Sequence, residues 1–180
     1  MTRQLMKYGT SLACCIAGIC LLEGTWFQTH AQSQDDASTA KQFVGMWRLV
    51  SWPQRLADGT TRQNPQSVAY VMFSDTGHMC FVAMNPSRPK WKSANTPTPE
   101  EMVSGLGNDF GAYCAAVEVH AKEGFFLQHV EINKSPNVVG MTRKRWFTFE
   151  GPNRVALKID PPENTPPVVE STLIWERVRK

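Results

Sequence analysis

Phe43-Val44-Gly45-Met46-Trp47-Arg48-Leu49-Val50-Ser51 opens the part of the chain that folds. A glycine, one spacer and a tryptophan lead directly into an apolar strand. Ser171-Thr172-Leu173-Ile174-Trp175-Glu176-Arg177-Val178, at the far end of the chain, is a second strand of matching length. The two are expected to lie side by side and close a β-barrel. Gly45 lets the backbone turn tightly with no Cβ to clash. The Trp47 indole plugs one end of the barrel, and Arg177 stacks on its ring. These three residues read as structural.

Between these ends the chain breaks into short strands separated by turn signals. The first runs from Met46 to Gln54 and ends near Asp58-Gly59, a hairpin dipeptide. Val68 to Ser74 is the second, and Asp75-Thr76-Gly77 turns it into the third, His78 to Met84. Residues 85–112 are a long interruption. Within it Thr98-Pro99-Glu100-Glu101 predicts a helix start, with Thr98 as N-cap, Pro99 at the first helical position and Glu101 completing a capping box. Such a helix serves as a lid over a cavity or as a stopper for the barrel. Strands resume at Tyr113 to His120, Gly124 to Asn133, Gly140 to Glu150, Arg154 to Ile159 and Val169 to Val178. Four prolines make residues 160–167 a loop. The predicted fold is all-β: an eight-stranded up-and-down antiparallel barrel, with one short helix in the long loop between strands three and four.

The first 31 residues read differently. Arg3 and Lys7 precede an apolar run from Leu12 to Leu22, and Thr29-His30-Ala31 puts small residues where a signal peptidase cuts. The run is short for a bilayer span, which needs about 20 residues. The expected organisation is a secretory signal over 1–31, a disordered tether over 32–40 and a barrel domain over 41–180, exported to the periplasm or the medium without stable membrane insertion. The formal net charge is +3 for 180 residues, and the leader contributes Arg3, Lys7 and Glu23, so the remainder carries +2. That balance does not argue for nucleic acid. Three of the five cysteines fall in the leader. Cys80 and Cys114 remain, as an exported pair that bridges or as two separate buried thiols.

These segments resemble the lipocalin-like domain family, short calycin-type barrels found in bacteria and fungi. The resemblance rests on 43–51, on Asp75-Thr76-Gly77-His78-Met79 with Arg88-Pro89, on His129-Val130-Glu131 followed by Ser135-Pro136-Asn137-Val138-Val139-Gly140, and on Leu173 to Val178. It implies a barrel with an enclosed cavity. It does not imply an activity, because one fold hosts many functions.

A barrel of eight strands holds one small ligand, and alternate residues of each strand face its lumen. On the fifth predicted strand His129 and Glu131 share a face; on the sixth, Arg145 and Phe147 do. If the two strands pair in that register, His129, Glu131 and Arg145 meet in the lumen and fix a ligand's polar group. Tyr70, Met72, Phe81, Met84 and Phe147 then supply apolar wall. The alternative for the charged three is a solvated cross-strand ladder, and for the apolar ones plain core filling. A one-residue slip moves the whole set outside. Metal chemistry is not supported: His78 and Cys80 share a face, but no third ligand accompanies them. No cofactor is expected. The first reading is an exported binder of a small, mainly apolar or amphipathic molecule. The alternatives are a cavity enzyme of isomerase or cyclase type, with His129 or Glu131 as general base and Arg145 steadying developing charge, and a packed structural barrel with no ligand.

Overall fold

The computed structural model describes residues 34–93, 95–107 and 109–179. The leader lies outside these, so the signal-peptide reading does too. Ten strands form one sheet: β1 (Gly45–Ser51), β2 (Pro53–Leu56), β3 (Thr61–Gln63), β4 (Val68–Phe73), β5 (His78–Met84), β6 (Phe110–His120), β7 (Phe125–Asn133), β8 (Thr142–Phe149), β9 (Arg154–Ile159) and β10 (Val168–Arg177). Eight of them run β1-β4-β5-β6-β7-β8-β9-β10, and β1 pairs back onto β10, so the barrel is closed and antiparallel. Closure leaves no free edge in these eight strands. β2 and β3 are an extra hairpin hung on the start of β10.

Two expectations need correcting. The helix was placed between strands three and four. The β2–β3 hairpin changes that count, and the helix, α2 (Pro99–Leu106), lies between β5 and β6. Its N-terminus carries the Thr98–Glu101 capping box. Moreover, from Gln34 onward the expected tether is a second helix, α1 (Gln34–Phe43), which precedes β1. Its sequence lacks a strong apolar period, so propensity alone would not form it. Tertiary contacts do. Asp36 accepts the Ala121 N–H at 2.7 Å. Phe43 is buried against Phe73, Phe126, Phe147 and Phe149, with ring centroids 4.8 to 5.3 Å away. Asp35 and Asp36 in the first turn and Lys41 in the last also suit the helix dipole.

α1 and this phenylalanine cluster fill one end of the barrel. Trp47 completes the plug. It is fully buried, and its Nε1 donates to the Phe43 carbonyl at 2.7 Å. The Arg177 guanidinium lies 4.1 Å from the indole centroid, and its Nη1 donates to the Val44 carbonyl at 2.6 Å. Gly45 makes that approach possible. Its φ is +124°, and a Cβ there would sit 2.9 Å from Arg177 Nη1. Up-and-down topology sends alternate connections to opposite ends. The connections 52–67, which carries the β2–β3 hairpin, 85–109, which carries α2, 134–141 and 160–167 therefore frame the other end. No helix among the described residues is long and apolar enough to cross a membrane.

Cys80 and Cys114 face each other across β5 and β6, on the outside of the barrel, and are bridged. The bridge closes a loop with a sequence separation of 34 residues that contains α2.

Truncating Trp47→Ala is expected to lower stability by about 3–5 kcal/mol, the usual range for a large buried aromatic; denaturant unfolding measures it. Removing the bridge in a Cys80→Ser/Cys114→Ser variant is expected to cost about 3–4 kcal/mol on loop-closure grounds. The same unfolding curves with and without reductant should show the wild type, and not the variant, responding.

Candidate functional site

The barrel's open end leads into a cavity of about 260 Å³. Its deeper wall is apolar: Val71 on β4, Met79 and Phe81 on β5, Leu157 on β9, and Leu173 and Trp175 on β10. Each is an inward residue on its strand, and each is buried. Trp52, just past the end of β1, covers one side. Its indole donates to Ser171 Oγ at 2.7 Å, which fixes the ring. The Trp175 indole N–H is buried with no acceptor among the described residues.

Polar groups enter the cavity from β6, β7 and β8. Gln128 is buried, with its amide 2.9 Å from Met79 Sδ and 3.1 Å from Tyr113 Oη. Arg143 lies over the Tyr113 ring, 5.9 Å from its centroid. Arg145 is 7% exposed, and it is the one charged side chain in the described core. Its Nη1 contacts Glu163 Oε2 at 2.8 Å and donates to the Lys144 carbonyl at 2.6 Å. Toward the rim stand Gln66, Asn133, Lys134 and Ser135. Lys134 Nζ donates to the Gly107 carbonyl, tying the end of α2 to the β7–β8 loop.

The structure divides the residues expected at the site. Phe81 and Arg145 line the cavity. Phe147 points inward, but at the plugged end, against Phe43 and Phe126. Tyr70 and Met72 are on the outer face of β4, 44% and 50% exposed, and Met84 is on the outer face of β5. His129 and Glu131 are also outside. On β7 the inward residues are Phe126, Gln128 and Val130, and Arg145 sits opposite Phe126. The expected His129–Glu131–Arg145 cluster therefore does not form: β8 faces as expected, but β7 is one residue out of the expected parity, and its side chains change face.

Outside the barrel these groups belong to a charge ladder. His129 Nε2 and His120 Nε2 each lie 3.0 Å from Glu118, and His78 Nε2 is 3.6 Å from Glu131. The hydrogen bond with His129, helped by the nearby His120, holds the Glu118 carboxyl below the usual carboxylate range. No group of three His, Cys, Asp or Glu among the described residues is placed to hold a metal ion.

Gln128, Tyr113, Arg143 and the two tryptophans were not singled out from the sequence. The alternation of Phe126, Gln128 and Val130, set against Phe125, Leu127 and His129, held the available signal for β7. Each face carries one phenylalanine, so only Val130 on one face and His129 on the other tell them apart.

A family model for the lipocalin-like domain matches residues 44–178. Among solved structures, a redesigned beta barrel is similar at 13% identity, over 82% of this chain and 100% of that one, with a TM-score of 0.43. No curated protein matches the chain. The matched span runs from the residue before the Gly45-x-Trp47 turn to the residue after Arg177, the whole of the closed barrel. The chain belongs to the lipocalin-like domain family.

Proposed function

We propose that the protein is an exported binder of a small, mainly apolar molecule, held in the barrel cavity with its polar end toward Gln128, Tyr113 and Arg145. The cavity itself carries the reading: apolar walls on β4, β5, β9 and β10, and a few oriented polar groups gathered on β6 to β8. That division suits an amphipathic ligand. The volume is about that of eight or nine waters at ~30 Å³ each, so a ligand of about ten non-hydrogen atoms fits.

Two observations bear on the alternatives. The enzyme reading relied on His129 or Glu131 as a base in the cavity. Both stand on the outer face, so that assignment is withdrawn. The packed-barrel reading fits the end filled by α1, Trp47 and the phenylalanines, but it does not describe the other end. Export is supported by the leader's charge and apolar pattern. The Cys80–Cys114 bridge agrees, since such bonds persist in oxidising compartments.

Titration with 1-octanol, followed by tryptophan fluorescence, is the direct test, because Trp52 and Trp175 line the cavity. Saturable one-to-one binding is expected. Val138 sits on the loop at the cavity's rim, where a larger side chain blocks entry without straining the core. Val138→Trp should therefore weaken octanol binding at least about tenfold, roughly 1.4 kcal/mol, with an unchanged melting temperature. Equal affinity in that variant would place the ligand elsewhere.

A further inference from the structure

Arg145 stands at a boundary. It lines the inner cavity, and its partner Glu163 lines a neighbouring crevice of about 500 Å³. Gln66 and Ile159 belong to both. Glu163 ends the short 3-10 turn Pro161–Glu163, on the proline-rich loop 160–167 that frames the open end. It reaches the barrel with both oxygens. Oε2 lies 2.8 Å from Arg145 Nη1 and 3.9 Å from Arg143 Nε, and Oε1 accepts the Lys144 backbone N–H at 2.7 Å.

That is a carboxylate site: a guanidinium for one oxygen, a backbone N–H for the other. A free carboxylic acid would be recognised by the same donors. The charges do not cancel. Two arginines face one glutamate, so the site keeps a surplus positive charge with Glu163 in place. A buried guanidinium needs an anion beside it whether or not a ligand is present, because an unpaired buried charge is costly. The loop supplies one.

We propose that Glu163 is a built-in stand-in for the ligand's head group, and that the cavity's ligand is an anionic amphipath whose carboxylate displaces Glu163 from Arg145 and Lys144. The inference rests on the cavity-binding reading above and adds to it the charge of the ligand and the element that competes with it. The displaced Glu163 is not left in apolar surroundings. Arg62, on β3, lines the same crevice and offers it another cation. Loop 160–167 thus acts as a selective latch. It yields to a molecule that brings its own carboxylate, and it stays on Arg145 while a neutral one of the same shape occupies the apolar part of the cavity.

Octanoate and 1-octanol differ in little but the head group, and they are the probes for the test. Both are titrated into the purified wild type and into Glu163→Gln, with tryptophan fluorescence as the readout. Removing the competing charge should tighten octanoate binding by about tenfold, the value of one charge-assisted hydrogen bond regained. Octanol should change by less than about twofold. The double variant Glu163→Gln/Arg145→Gln should lose the octanoate gain. If Glu163→Gln fails to fold, Glu163→Asp keeps the charge but shortens the reach by one methylene, and a smaller gain for octanoate alone is expected. Equal tightening of both probes would mean that the loop had merely loosened, and it would overturn the proposal; so would an unchanged octanoate affinity. Octanol binding with no such discrimination removes the latch and leaves the cavity reading standing. Binding of neither probe to any variant removes both.

Discussion

The stacking of Arg177 on Trp47 is the contact on which the rest of the barrel depends. It joins the first strand to the last, and it does so at the point where the chain enters the barrel. The guanidinium covers the indole and bonds to the Val44 carbonyl in the turn before it. Glycine suits position 45 because its φ of +124° strains any L side chain, and a Cβ there would also press the guanidinium off its place. β1 and β10 then continue in register, Trp47 opposite Arg177 and Leu49 opposite Trp175. Without that pairing the sheet would have two long apolar edges, which invite association with other chains.

Closure at this end has a consequence for the other. The plug is dense, with five phenylalanines, Trp47 and α1 filling the lumen. The remaining volume is pushed toward the connections 52–67, 85–109, 134–141 and 160–167. Apolar residues from β4, β5, β9 and β10 line it, while β6, β7 and β8 contribute the polar groups. Arg145 lies near the division between packed core and open cavity, where one more charged side chain would be expensive. Its pairing with Glu163 ties a framing loop to the barrel wall, so the electrostatics of the cavity and the position of its rim are one problem.

Much of this was legible in the sequence, for identifiable reasons. The strands β4, β5 and β9 stand where the turn signals on either side put them. The closing pair was visible because Gly45, Trp47 and Arg177 each do something no other residue type does as well. Thr98 and Glu101 marked a helix start through capping chemistry alone. Which way each strand faces was another matter. Val68-Ala-Tyr-Val-Met-Phe73 is apolar at every position, so period two carries no direction. Met46, Val50, Tyr70, Met72 and Val82 are all exposed on the outer face, which makes that face resemble a core. On β7 the histidine and glutamate drew attention, while the inward residue was the neutral Gln128. α1 was missed because a short polar helix held by one aspartate and one buried phenylalanine leaves almost no periodic trace.

The central claim is that the inner face, and not the apolar outer face, receives a small amphipathic molecule. Solution NMR of the methyl-labelled protein with 1-octanol tests it most directly. The account predicts intermolecular NOEs from the alkyl chain to the methyls of Val71, Met79, Leu157 and Leu173, all in the cavity wall. NOEs confined to Met46, Met72 and Val82 would put the ligand on the outside of the barrel and contradict it.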